Sequence, residues 1–522
     1  ARDNVAAAAR RDRGGVAAPN LPLNPERAGS VSDQNPMPGH PPRSLLRSRA
    51  GLALDAFAAA LARRGFRHGK VPRMPQKERT SASRSDAAGS SSPSPRRVGA
   101  GVSLLLSSRR LFLLFSVIGP GIIAANADND ASGIFGYSLA GAAYQYNMLW
   151  VLVLSTIALG VAQEICARMG AITGRGLADL IREEYGVKVT MLAMAALLVA
   201  NFATTVSEFA GILAAVQIFV PGLIARFVVL PIVACGVYAV VTRGSYKRLE
   251  RILLGASLIY LFYIVSAFLA HPNWGQALHR TVLPDIKAVN PLGAYIFMII
   301  NVVGTTITPW GQFYIQSSVR DKGIQAKDYA LLRMDVFFGA FFTNFIAYFI
   351  IVCCGATLFV HGIHTLTDAG QAAQALAPLA GRLATILFAI GLFNASCFGA
   401  ITVPLSTAYA VTESLGWESG VGRRTKEAPL FVGIFSFLVA ASALLVALFP
   451  QHLTFLIILP NLVGAVLLPI ILVMMLLLVN KRRLMGRFVN TPVYNIIAWA
   501  TAVILVGLSL ILLFTQLFPP KA

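Results

Sequence analysis

From residue 111 onward the chain is a succession of apolar runs, each about 20 residues or longer. Each run is long enough to cross roughly 30 Å of hydrocarbon as a helix. Lipid offers backbone groups no hydrogen-bond partners, and a helix satisfies its own. A chain with this pattern is restricted to an all-α, polytopic membrane fold. Eleven spans are expected, near 111–140, 147–168, 190–217, 223–242, 252–270, 293–317, 335–360, 382–412, 429–449, 453–479 and 493–515. Only 13% of residues are charged, against about a quarter in soluble proteins, and the shortfall falls in these runs.

The loops test the count. With a cytoplasmic N-terminus, the inside loops carry Arg175 and Arg182; Lys247, Arg248 and Arg251; Arg320, Lys322 and Lys327; Arg423, Arg424 and Lys426; and Lys481, Arg482, Arg483 and Arg487. The outside loops hold little beyond Arg280 and Lys287. The alternation persists through every crossing, which predicts a multi-pass membrane protein with its N-terminus cytoplasmic and its C-terminus external. The net charge of +21 does not indicate a nucleic-acid partner. Nearly half of the Lys and Arg precede residue 111, most of the rest lie in short loops, and no nucleic-acid-binding motif accompanies them.

Residues 1–100 are rich in Ala, Arg, Ser, Pro and Gly, cannot bury a core, and are expected to be a disordered basic tail. The chain does not begin with Met; Met74 is one candidate for a true start, with the preceding residues a mis-called extension. Residues 101–515 are expected to form the membrane domain and 516–522 a short external tail. The five cysteines all fall in apolar runs without zinc-ligand spacing, and read as small packing residues.

Two spans are interrupted. The first reads GPGIIAANADNDASGIFGYSLAG, with Asp128, Asn129 and Asp130 about twenty residues into the run. The sixth reads IINVVGTTITPWGQFYIQSS, with Gly304, Pro309 and Gly311 at its centre. The breaks are five spans apart, and five is odd, so the second half has inverted topology. Paired broken helices in two inverted five-span halves point to a substrate site at the bilayer midplane. The eleventh span falls outside that repeat.

A carboxylate in hydrocarbon costs roughly 3 kcal/mol or more unless paired, hydrated or bound to a cation. Two acids in three positions therefore read as a cation site beside unwound backbone. The alternative, a solvated loop between two interfacial segments, breaks the charge alternation. In the second break Pro309 is expected to remove a helix hydrogen bond and its flanking glycines to let the backbone unwind, freeing carbonyls such as that of Thr305. Thr308 adds a hydroxyl, and Trp310 and Gln312 line or gate the site. A simple proline kink is the competing reading. Asn461, beside Pro460 in the tenth span, offers a hard amide oxygen or an interhelical hydrogen bond. Glu208, in TTVSEFAG, lines a pathway or bonds neighbouring helices. His361 and His364 read as loop residues, and Asn394 starts a sequon placed too deep to be glycosylated. The donors are all oxygens, with no Cys, Met or His in either break, which suits hard cations such as Mg²⁺, Ca²⁺ or Mn²⁺.

At these residues the sequence resembles the Nramp family of divalent metal transporters over about residues 111–515. The likeness extends to AGAAYQYNMLWV, ARMGAITGRGLADLIREEYG, TTVSEFAG and KRRLMGRFVN. It implies a LeuT-type 5+5 inverted repeat with helices 1 and 6 broken. The family's D-P-G-N motif falls on Asp130-Ala131-Ser132-Gly133, and its A-x-x-M-P-H motif on Thr305 to Trp310, so that Thr308 stands where the family has Met. The family's tenth-helix Gln aligns with Asn461. Its third-helix acids align with Leu198 and Thr205, leaving Glu208, and its paired ninth-helix arginines fall near Gly433 and Ile434. These departures resemble the Nramp-related magnesium transporters, which implies import of Mg²⁺ and/or Mn²⁺ by alternating access without proton coupling.

The expected site is thus Asp130, Asp128, Asn129, Thr305, Thr308 and Asn461, with Glu208, Pro309, Trp310 and Gln312 along the pathway. The metal is substrate, no cofactor is implied, and the chain is expected to act as a monomer in the bilayer. The nearest alternative is a conventional proton-coupled Mn²⁺/Fe²⁺ transporter. An organic-solute carrier of the same fold is disfavoured because two acids at the break repel a carboxylate. An enzyme is disfavoured because no H-E-x-x-H and no nucleophile elbow is present.

Overall fold

The computed structural model describes residues 119–285, 291–366, 369–423, 425–449 and 453–517. The tail of residues 1–100, the start of the first span, Lys287, Arg424 and the last five residues lie outside the described residues. So do the side chains of a few helical positions, Asn461 among them.

Every regular element among the described residues is helical. The broken first span gives α1 (Pro120–Ala127) and α2 (Ala131–Tyr144). Then follow α3 (Leu149–Thr173), α4 (Leu177–Gln217), α5 (Gly222–Thr242) and α6 (Tyr246–Leu269). The second broken span gives α7 (Leu292–Thr306) and α8 (Pro309–Lys322). After it come α9 (Tyr329–Cys354), α10 (Ala377–Leu415), α11 (Pro429–Leu448), α12 (Leu453–Val479) and α13 (Pro492–Leu517). Gly186, at φ 79°, lets α4 turn sharply after its first two turns, a conformation that only glycine adopts cheaply.

Nine helices among the described residues are long and apolar enough to cross a membrane, with α7 and α8 counted together. The two remaining expected spans differ for separate reasons. Breaking the first leaves α1 and α2 too short individually, and α12 is an apolar helix of 27 residues whose side chains lie within the described residues mainly from Leu467 to Val479. Apolar side chains on α5 and α13 such as Phe227, Ile232, Val493 and Ile496 are exposed, as lipid-facing residues are.

Packing places the broken helices at the centre. α4 packs along α10 and α12, while α9 packs on α1, α2 and α3. Lipid gives no hydrophobic drive to helix association, so close backbone approach between small residues replaces it. α1 and α9 meet in this way. A Cβ on Gly121 would sit 2.6 Å from the Val336 nitrogen, and one on Gly339 2.7 Å from the Gly121 oxygen. The Asp335 carboxylate then accepts from the backbone nitrogens of Gly119 (3.1 Å) and Gly121 (2.6 Å), amides that a helix N-terminus otherwise leaves unpaired.

The loops richest in Lys and Arg are drawn together at one end of the bundle. Arg320 pairs with Glu413 at 2.8 Å, Lys322 with Glu250 at 2.5 Å, and Glu184 with both Lys481 and Arg483. Gln316 donates to the Arg175 carbonyl at 3.0 Å.

Gly339→Val should force α1 away from α9 and yield protein that aggregates or melts well below wild type. Gly433→Ala, where nothing lies within 4 Å of an added Cβ, should leave the melting temperature within about 2 °C. Thermal unfolding of the detergent-purified variants checks both.

Candidate functional site

The gap between α1 and α2 is three residues wide, and helix ends explain its shape. Asp128 is the last residue to follow α1, and Asp130 caps the start of α2. The Asp130 carboxylate accepts from the Gly133 nitrogen at 2.6 Å and from the Ser132 hydroxyl at 2.8 Å. A short acid at this position satisfies an unpaired helix amide and meets the positive end of the helix dipole. Asp128 takes its partners from other helices. Gln163 of α3 donates to it at 3.0 Å and Thr308 at 2.7 Å. Both acids are 1% exposed.

The second break is narrower than the sequence suggests. Only Ile307 (φ −118°, ψ 95°) and Thr308 (φ −95°, ψ 143°) leave the helical range. Gly304 and Gly311 lie inside α7 and α8. Pro309 does not strip a hydrogen bond from a continuous helix. It occupies the first turn of α8, where an N–H has no intrahelical partner to lose. Thr308 caps that helix, its Oγ1 accepting from the Gly311 nitrogen at 3.3 Å. Gly311 matters for approach rather than unwinding: a Cβ there would sit 3.2 Å from Asp128 Oδ1.

The Thr308–Asp128 hydrogen bond therefore joins the two breaks, 180 residues apart in sequence. Beside it lies a cavity of about 20 Å³, lined by Asp130, Ser132, Asn201, Thr204, Thr308 and Trp310, with Pro309 and the small residues Gly304 and Gly464. That is room for about one water, and too little for an ion inside a complete water shell.

The structure brings Asp128, Asp130, Thr308, Pro309 and Trp310 together. Thr305 is buried in the last turn of α7, its Oγ1 without a hydrogen-bond partner and facing Gly133. Glu208 joins the site from α4. Its carboxyl accepts from the Ala131 nitrogen at 3.2 Å, and a Cβ on Gly399 would press into it. Asn129 is turned elsewhere, its amide donating to the Thr343 carbonyl at 3.0 Å. Gln312 is buried one turn along α8, its amide 3.5 Å from the Thr308 carbonyl. Asn461 belongs to α12, but its side chain lies outside the described residues.

Gln163, Asn201 and Thr204 escaped the sequence reading. Each is a polar residue within an apolar run, and that was the available signal. No spacing tied them to Asp128 or Asp130. Among the described residues, no three His, Cys, Asp or Glu gather as a metal cluster. A cation held here would rely on the two aspartates and on neutral oxygens. His361 and His364 point their Nδ1 atoms at backbone carbonyls, of Thr357 at 2.8 Å and Ala142 at 3.2 Å, and Asn394 donates to the Ala256 carbonyl at 3.1 Å.

Residues 121–515 match the family described as natural resistance-associated macrophage protein-like, or Nramp. The chain is 26% identical over 412 residues to the divalent metal cation transporter MntH of Acidiphilium cryptum, covering 77% of this chain and 90% of that protein. It is 24% identical over 400 residues to the protein of the same description from Klebsiella pneumoniae, covering 76% and 92%. In structure it is similar to the manganese transporter of Eremococcus coleocola, with a TM-score of 0.63 at 19% identity over 81% of this chain and 91% of the other. It is also similar to MhsT solved with L-phenylalanine, with a TM-score of 0.51 at 13% identity, covering 76% and 98%. At these identities the structural likenesses show a shared fold.

Thr308→Val keeps the side-chain shape and deletes the hydroxyl between the two breaks. It should lower stability by about 1–3 kcal/mol, since Asp128 stays buried with one donor fewer. An unchanged melting temperature in detergent would show that the bond contributes nothing.

Proposed function

This chain belongs to the Nramp family, and from that premise we propose that it carries a divalent metal ion across the bacterial inner membrane by alternating access. The carrying observation is the Asp128–Thr308 hydrogen bond, which closes two helix breaks around a buried polar gap that also holds Asp130. The relatives are described as divalent metal cation and manganese transporters, so the chain is a carrier rather than an enzyme, and the metal is its cargo rather than a cofactor.

In this reading the chain crosses the membrane eleven times. α1 through α6 and α7 through α12 are two inverted sets of five spans, α13 stands outside them, the N-terminus is cytoplasmic, and the carrier works as a monomer. Asp130 supplies the main charge to the ion. Asp128, Thr308 and Thr305 complete its oxygen shell, some through water, with Asn461 approaching from α12 and Asn129 orienting the break. Glu208, Pro309, Trp310 and Gln312 line the route. The substrate is Mg²⁺ and/or Mn²⁺. Supporting this are the hydroxyl of Thr308 at the break, where a thioether would favour softer metals, and the absence of Cys, Met and His from the described residues lining the cavity. Transport without proton coupling is supported by Thr205 and Leu198 on α4 and by Gly433 and Ile434 on α11, none of which can carry a charge.

One observation favours a second reading. Glu208 is a fully buried carboxyl whose Oε2 accepts from the nitrogen of Ala131, next to Asp130, while its Oε1 has no hydrogen-bond partner. An acid so placed beside the break is a candidate proton carrier for a conventional coupled transporter of Mn²⁺ or Fe²⁺.

Uptake into proteoliposomes with Mg²⁺, Mn²⁺ and Ca²⁺ in competition, with lumenal pH monitored, separates the two. Mg²⁺ entry without acidification is expected, and acidification in proportion to the metal would establish the coupled reading instead. Asp130→Asn keeps a capping oxygen but removes the charge. It should abolish uptake while retaining a wild-type elution profile; normal uptake would remove the proposed principal ligand.

A further inference from the structure

The hydroxyl hydrogens around the cavity are already committed. Ser132 donates its hydrogen to Asp130 at 2.8 Å, Thr308 to Asp128 at 2.7 Å, and Thr204 to the Ala200 carbonyl at 3.0 Å. Each of these oxygens can therefore only accept from the cavity. The orientation of Asn201 follows by the same reasoning. The Thr407 hydroxyl donates to the Val403 carbonyl at 2.9 Å, so its oxygen must accept from Asn201, which lies 2.7 Å away. The amide nitrogen thus faces Thr407, and Oδ1 is left for the cavity that Asn201 lines. Trp310, another lining side chain, has a buried Nε1 without a hydrogen-bond partner.

Asn201 and Thr204 are three residues apart on α4 and so share a helix face. Two acceptors on one face, across a one-water cavity from Asp130, match a particular guest. A water bound to a cation turns its oxygen to the metal and both hydrogens outward. An anion, or a water needing to accept, fits such a wall poorly.

Building on the metal-transport reading, we propose that this cavity seats one water retained by the transported ion, and that Asn201 Oδ1 and Thr204 Oγ1 accept its two hydrogens. Asn201 and Thr204 then act as specificity residues that never touch the metal, and Thr407 is the positioning residue that fixes the amide. They favour an ion that keeps its waters, as Mg²⁺ does, over one that sheds them more readily.

The test is concentration-dependent uptake of Mg²⁺ and of Mn²⁺ by purified wild type, Asn201→Leu, Thr204→Val and Thr407→Val in proteoliposomes. Hexaamminecobalt(III) serves as inhibitor, since it presents N–H donors like a water shell and cannot shed its ligands. Asn201→Leu and Thr204→Val should each raise the KM for Mg²⁺ about tenfold, raise that for Mn²⁺ by less, and weaken inhibition by the cobalt complex. Thr407→Val should show the same pattern at smaller amplitude, because the amide can then rotate. A purely structural role would move both ions equally. An unchanged ratio of the two KM values in both α4 variants overturns the proposal, as does failure of the cobalt complex to inhibit wild type. Absence of any divalent-ion uptake by wild type would be a different result and would overturn the transport reading itself.

Discussion

Two aspartates buried within three residues of one another are the constraint around which the bundle is arranged. A carboxylate removed from water loses several kcal/mol of hydration unless donors or a cation replace it. An unbroken helix has no donors to offer at its middle, because its own carbonyls hold every amide. Interrupting the helix at Asp128–Asp130 creates ends there, and the ends supply what the acids need. Asp130 takes the Gly133 amide at the start of α2, and Asp128 takes Gln163 and Thr308 from helices packed alongside. Thr308 is available only because the second span breaks at Ile307–Thr308, and it caps α8 while donating to Asp128. Each interruption thus makes the other tenable.

This mutual support demands close approach. Gly133, Gly311 and Gly399 all face carboxylate or site oxygens where a Cβ would intrude, and Gly121 and Gly339 let α1 lie against the backbone of α9. The site and its scaffold use one device, small residues that bring backbones into contact where lipid provides no squeezing force. Glycine at these positions is steric. None of the five adopts the left-handed backbone that requires it elsewhere in the chain, as at Gly186.

Much of this was legible in the residues. Long apolar runs dictate helices, and basic residues mark the loops that the ion pairs of Glu413, Glu250 and Glu184 gather at one end. Two acids in the middle of an apolar run point to the candidate site, because few structural roles tolerate them. The role of Pro309 was not legible. The same Pro can kink a helix or begin one, and the choice depends on Thr308 finding Asp128 across the bundle. Asn129 shows the limit in another way. It sits between the two acids, yet its amide donates to a carbonyl of α9, in a gap where the backbone passes from helical at Asp128 (φ −70°, ψ −17°) to extended at Asp130 (φ −78°, ψ −177°). Gln163, Asn201 and Thr204 are ordinary polar interruptions in sequence. Only the crossing of α3 and α4 past the breaks gives them a place near the acids.

The closed gap also bears on how a carrier of this design must work. A space of about 20 Å³ admits one water, so the conformation described here cannot load an ion that keeps a full shell. Loading requires the breaks to separate, and the interactions differ in how they resist that. The glycine contacts between α1 and α9 are backbone on backbone and act as one rigid surface. The Thr308–Asp128 bond is a single hydrogen bond between elements that each have a second anchor, and a cation entering between them can replace it with a stronger attraction to Asp128. An ion then stabilises the open gap by taking over the partner that held it shut. On the proposed metal-transport reading the buried acid would be both latch and ligand, and differential affinity for the ion in the two states would supply the free energy that moves the population between them.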